Sequence, residues 1–301
     1  MRDKSGKRNL LLAAAIVGLG LSASINPACA DDLWDAINTA ASAGLYTLHS
    51  DYTLPDGKSS LGNLKVGVFV LEGNNKTIEL NKKRGVSIDD DKSMTIRNAI
   101  IKNAKNSAEG GAIYNEGKLE ITGSQFNDDH ADDDDAGAIW NEGTISKILA
   151  DFNNNGATDN GGAIYNKGTI TTISGNFIGN RAEDDGGAIY NKGTIGTISG
   201  SFTDSTAHTG NGGAIYNTGT ITTLSADFLN SKASYGADGK AGTLYNEGTI
   251  GTISGSFING YTRYDGGAIL NTGTITTISA DFRHNGSTQK NYEYNLRKNC
   301  L

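Results

Sequence analysis

One phrase returns seven times along this chain and fixes most of what it can fold into. Each copy opens on a glycine (Gly111, Gly137, Gly162, Gly187, Gly213, Gly242 or Gly267) and runs on as AIYN or a near variant. Each closes on a phenylalanine (Phe126, Phe152, Phe177, Phe202, Phe228, Phe257 or Phe282), always 15 positions after its glycine. The stretch from one Phe to the next Gly is elastic, at 11, 10, 10, 11, 14 and 10 residues. A rigid block alternating with a variable one, at a period near 25, is the pattern of a solenoid, with length changes pushed to one edge of the coil.

Within a copy, short β-branched runs are separated by Gly and Asn. In GGAIYNKGTITTISGNFIGN, residues 161–180, the expected strands are 163–165, 169–173 and a short one around Phe177. Strands this short become stable only by pairing with the same strand one coil above and below, about 4.8 Å away. Like residues then stack on like. The inward columns are Ile113 to Ile269, Leu119 to Ile275, Ile148 to Ile278, and the phenylalanines. The second and third columns lie three residues apart from the second copy onward, which breaks strict alternation and requires a bulge near Thr172. The first copy departs, with Leu119 and Ile121 and then Thr122 where the third column expects Ile. Asn115, Asn141, Asn166, Asn191, Asn217, Asn246 and Asn271 follow the first strand, with Gly two residues on. These suit a tight turn and can form a side-chain ladder along the rod.

The pattern gives an all-β fold, a right-handed parallel β-helix of about ten coils with a short N-terminal capping helix. Its expected divisions are a leader at 1–30, a cap helix at 31–44 carrying Trp34 and Ile37 on one side, degenerate coils at 45–110, the regular repeats at 111–286, and a tail at 287–301. The leader has basic Arg2, Lys4, Lys7 and Arg8, an apolar run from Leu10 to Leu21, and Ala28-Cys29-Ala30. That is a signal peptide cleaved after Ala30, in preference to a lipid anchor on Cys29, because Asn26 stands where a lipidation signal wants Leu. The mature chain is then exported, to the cell surface or beyond, with no transmembrane segment. Its net charge is −10 against −7 for the whole chain, because the leader's four bases outweigh Asp3. Such a surface disfavours nucleic acid and anionic lipid. Cys300 is the one cysteine left, so no disulfide stabilises it.

GGAI at Gly110, Gly161, Gly186, Gly212 and Gly266, with Ala136 and Ala241 replacing the first Gly elsewhere, recurs with F-x-x-N at Phe152–Asn155, Phe177–Asn180 and Phe282–Asn285. This combination resembles the polymorphic outer-membrane proteins and, more broadly, autotransporter passenger domains, over roughly residues 60–286. The resemblance implies a right-handed parallel β-helix, surface exposure and adhesion. Members of that group end in a membrane β-barrel. No such segment is visible here, and a free secreted β-helix and a piece of a longer gene product both stay open.

Candidate sites are few. Tyr114, Trp140, Tyr165, Tyr190, Tyr216 and Tyr245 follow the first isoleucine column, and Leu270 ends the series. If the isoleucines point inward, these rings point outward as a stripe able to contact a glycan or a partner protein; the competing reading is that they stack on each other and shield the ladder. Tyr235, in the longest edge loop, is a second contact candidate. The acidic runs Asp89–Asp91 and Asp128–Asp135 offer oxygen ligands for Ca²⁺, but the nonapeptide Ca²⁺ repeat is absent and a solvated loop explains them. No cluster of carboxylates is planted on a strand, and His49, His130, His208 and His284 share no spacing, so neither catalytic residues nor a metal or cofactor is expected. The functional expectation is a non-catalytic β-helix in adhesion or extracellular scaffolding, its partner a host-surface glycan or protein. Two alternatives remain: a polysaccharide lyase or hydrolase of the pectate-lyase-like type, and an ice-binding β-solenoid suggested by Thr169/Thr171, Thr220/Thr222 and Thr274/Thr276. That array is interrupted by Ser146, Gly196 and Gly251.

Overall fold

The computed structural model describes residues 33–39, 44–107, 109–233 and 239–288. They form a parallel β-solenoid of about ten turns. Each regular coil contributes a three-residue strand such as Ile164–Asn166, a ten-residue strand such as Thr169–Ile178, and a two-residue strand such as Arg181–Ala182. Each pairs in parallel with its counterpart in the next coil, Ile164 with Ile189, Ile170 with Ile195 and Ala182 with Ala207. The strands expected at 169–173 and near Phe177 are therefore one strand, bent rather than broken.

The bulge is where the spacing requires it. Thr169, Ile170, Thr172 and Ile173 are paired, and Thr171 drops out of the ladder, so that Ile170 and Ile173 both face inward. The irregular first copy shows how the fold absorbs a mismatch. Its register slips between Ile145 and Lys147, placing Ile121 opposite Ile148. A second slip between Leu149 and Ala150 passes over Gly123, at φ 61°, and restores Phe126 opposite Phe152.

The core is continuous. All four inward columns are buried through the central coils, and the phenylalanine rings stack at 4.5–5.1 Å between centroids. The inner Asn column is fully buried from Asn115 to Asn246, and each of these amides donates to the next Asn Oδ1, the last to Asn271, at 2.7–2.8 Å. Asn115 begins it. Its own Oδ1 has no donor, because the residue below it is Ile88. Removing water from an amide is offset only when it is hydrogen-bonded, so the column must run unbroken.

Of the segment 31–44 expected to hold the cap helix, residues 31–32 and 40–43 lie outside the described residues. The helix spans Leu33–Thr39, and the first strand follows at Gly44–Thr47. Leu33 and Ile37 are buried, Trp34 is partly buried, and Asn38 Nδ2 donates to the carbonyl of Leu61 at 2.7 Å. Irregular coils follow at 44–63, 68–88 and from Ser93, in register with one another. At the far end the pattern runs slightly past 286, since Gly286–Ser287 pairs with Tyr261–Thr262. The leader, Tyr235 and residues 289–301 lie outside the described residues. No helix among the described residues is long and apolar enough to cross a membrane.

Candidate functional site

The strand Ile-Tyr-Asn carries the aromatic column. Ile164 enters the central core, and Tyr165, next in line, faces the other way into a second apolar cluster with Trp140, Tyr190, Tyr216, Tyr245, Ala136 and Ala241. The rings form a cluster separate from the isoleucine core, and they are not open to solvent. Trp140 to Tyr245 are only 2–8 % exposed, and Tyr114 and Leu270 are partly buried at the two ends. Successive rings stack at 4.4–5.0 Å from Trp140 onward, with Tyr114 6.3 Å from Trp140. Both faces of Tyr165, Tyr190 and Tyr216 are therefore occupied by neighbouring rings, and a sugar has no ring face there to stack on.

The cover comes from the loop entering each copy. Its first GGAI position is left-handed throughout: Gly110, Gly161, Gly186, Gly212 and Gly266 have φ of 64–72°, and Ala136 and Ala241 have φ of 62° and 61°. Alanine tolerates this region at a cost of about 1–2 kcal/mol. Here the two methyls are fully buried against the rings.

What the column offers is its rim. Tyr114 Oη donates to Glu116 Oε1 at 3.4 Å. Lys167 Nζ lies 4.5 Å from the Trp140 ring centroid and 3.1 Å from Glu142 Oε1, and Lys192 lies 5.3 Å from that of Tyr190. Burial first, and then nearby Glu and Asp charge, push the Tyr114 and Tyr165 phenols up to about 12. Tyr190, Tyr216 and Tyr245 move the same way, also chiefly by burial. These hydroxyls stay protonated across the physiological range.

The acidic runs part company. Asp91 pairs with Lys92 and Asp132 with Lys105, each at 2.6 Å. Asp129 is fully buried. Asp134 and Asp135 meet Asp159 of the next coil, with carboxylate oxygens within 4.8 Å of one another. Asp135 Oδ1 already accepts from Asn160 N at 2.7 Å and Nδ2 at 2.8 Å. Burial raises its pKa to about 6, against the lowering effect of those bonds. One of the three carboxylates is thus already engaged in hydrogen bonds within the coil stack. His49, His130 and His284 are exposed and scattered along the rod, and His208 Nε2 is 3.8 Å from Glu183.

Two features escaped the sequence reading. The corner two residues after each Phe is left-handed in every copy, at Asp128, Asn154, Gly179, Asp204, Asn230, Asn259 and His284. The run of Asp, Asn and Gly at that offset was the available signal. The threonine array is also more regular than the T-x-T pairs suggest. Thr144, Thr169, Thr194, Thr220, Thr249 and Thr274 form one unbroken exposed column. Thr172, Thr197, Thr223, Thr252 and Thr277 form a second beside it. The bulge skips Thr171 and Gly196, so the interrupting glycines fall outside the paired columns.

No curated protein and no solved structure is matched by this chain. A family model does match, over residues 150–167 and 172–192. Those stretches span the copies in which Phe152–Asn155 precedes Gly161–Ile164 and Phe177–Asn180 precedes Gly186–Ile189, so both halves of the motif are intact. The matching family is the Chlamydia polymorphic membrane protein repeat, to which the chain is similar over those residues, within a parallel β-solenoid.

Proposed function

We propose that the rod is a surface-exposed, non-catalytic β-helix passenger that acts in adhesion or as an extracellular scaffold, with a host-surface glycan or protein as its partner. The observation that carries this reading is the division of labour within the coil. The recurring side chains are spent on one another, as rings on rings and amides on amides. Variation in length is confined to the edge between each Phe and the next Gly. A constant frame with variable edges is how a scaffold displays binding loops. Tyr261, exposed beside the longest of those edges, is the contact residue there. The test is a glycan and host-cell binding array with residues 31–301. Binding that drops on Tyr261→Ser, with stability unchanged, supports the reading. Depolymerisation of acidic polysaccharides by the same preparation overturns the non-catalytic part.

One observation favours a second reading, recognition of a regular lattice such as ice. The two adjacent threonine columns repeat once per coil on one face. Thermal hysteresis that is lost on Thr223→Glu would establish it over adhesion.

A further inference from the structure

Three residues after each of the first five repeat phenylalanines lies a second buried polar column: Asp129, Asn155, Asn180, Ser205 and Ser231 are at most 1 % exposed. The asparagines in it make one repeated pair of bonds to the coil below. Asn155 Oδ1 accepts the Asp129 N–H at 3.0 Å, and its Nδ2 donates to the Phe126 carbonyl at 3.1 Å. Asn180 does the same to Asn155 N and the Phe152 carbonyl, at 3.0 and 2.9 Å. Asn285 repeats it at 2.7 Å to both Gly260 N and the Phe257 carbonyl.

Asp129 occupies the first of these positions. Its Oδ1 accepts the Ala104 N–H at 2.8 Å, as an asparagine oxygen would. Its Oδ2 stands where Asn155, Asn180 and Asn285 carry a donating nitrogen. Register pairs Ile101 with Phe126, so the carbonyl below that atom is that of Ile101. Oδ2 is buried, and no donor among the described residues reaches it. A carboxylate oxygen against a carbonyl oxygen is repulsive; a protonated one donates.

We propose that Asp129 is a proton-binding structural site: the neutral acid donates from Oδ2 to the Ile101 carbonyl in place of the asparagine amide, and its ionisation loosens the seam between the irregular coils and the regular array. The charged surroundings agree. Asp128 on its own coil and Glu79, two coils below, both oppose ionisation, and burial opposes it most. The nearby cations are already engaged, Lys102 with Glu79 at 3.3 Å and Lys105 with Asp132 at 2.6 Å. His130 is exposed, and the facing position of the next coil is the neutral Asn155.

The sign follows from linkage. The folded chain holds this proton to higher pH than the unfolded chain, whose carboxyl titrates near 3.8. The seam is at full strength below that value and weakens as pH rises through the folded one.

The test compares the mature protein with Asp129→Asn by urea unfolding between about pH 4 and pH 8. The wild-type unfolding constant should climb relative to the variant by up to tenfold per pH unit, leaving the variant the more resistant at neutral pH. Parallel pH courses would overturn the proposal. A second measurement needs no variant: carbon-13 carboxyl spectra of Asp-labelled wild type, followed over the same pH range, should show one fully buried aspartate ionising well after the solvent-exposed ones. A titration in which that aspartate ionises with the exposed ones overturns the proposal equally.

Discussion

The side-chain amide of Asn141 donates to Asn166 Oδ1 at 2.7 Å, and both residues are completely buried. Asn166 in turn donates to Asn191 at 2.8 Å, so each member is acceptor for one coil and donor for the other. Replacing Asn166 with Leu removes both bonds: Asn191 Oδ1 loses its donor, and Asn141 Nδ2 keeps only its longer bonds to the Gly143 and Thr169 carbonyls, at 3.3 and 3.5 Å. At about 1–3 kcal/mol for each unsatisfied buried group, the loss should be about 2–5 kcal/mol. Asn115→Leu should cost clearly less, because its Oδ1 has no donor to begin with and only Asn141 Oδ1 is orphaned. Denaturant midpoints of the two variants would show the difference; equal losses would refute the ladder argument.

Tyr190 is held between Tyr165 and Tyr216, each at 4.9 Å. Tyr190→Ala should cost about 3–5 kcal/mol, as aromatic truncations in a core do. Tyr190→Phe keeps the stack and should cost far less. A contact stripe for a ligand predicts the reverse, with intact stability and lost binding in both variants, so melting curves run beside binding assays separate the two roles.

The same burial sets an alkaline limit. The Tyr114 and Tyr165 phenols are pushed up from 10 to about 12, so the folded rod favours the neutral ring. Their contribution is complete below pH 10 and falls as pH rises from 10 towards 12. An ultraviolet phenolate titration should show these rings ionising late and together with loss of the β signal. Reversible ionisation near pH 10 with the fold intact would contradict the packing described.

Asp135 gives an acid-side counterpart. Its carboxyl rises from 3.8 to about 6, so stability is greatest below 3.8 and declines as pH passes through 6. Asp135→Asn keeps an acceptor for Asn160 and removes the titrating charge. The variant's thermal midpoint should therefore change less between pH 4 and 7 than that of the wild type, as calorimetry would register.

The left-handed entry to each copy is open to a graded test. Gly186→Ala puts a methyl where Ala136 and Ala241 already carry one, and should fold with a loss of about 1–2 kcal/mol. Gly186→Val adds branching at φ 66° and should lose considerably more. Similar melting temperatures for both variants would remove backbone conformation as the reason for glycine here.

The repeat made the coil legible because identical residues at a fixed period can only stack. The inward columns, the bulge beside Thr172 and the Asn115-to-Asn271 ladder all follow from that single constraint. The aromatic column was half legible. Alternation told that Tyr165 faces away from Ile164, but the rings are closed off by stacking on one another and by Ala136 and Ala241, which reach them through a loop whose path the spacing does not encode. Asp129 was hidden for a different reason. Within a run of acids it reads as solvent-exposed charge, and only alignment on the Phe-to-Asn offset shows that it occupies an asparagine position.

The paired slips around Gly123 and Ser146 carry a consequence for how such rods diversify. An error in length introduced in the first half of a turn is cancelled in the second, so Phe126 and Phe152 meet as though nothing had intervened. A coil that corrects its own phase hands no fault on to its neighbours. Whole turns can then be duplicated, lost or exchanged between related genes, and the rod can change in reach without any of its remaining rungs having to be redesigned.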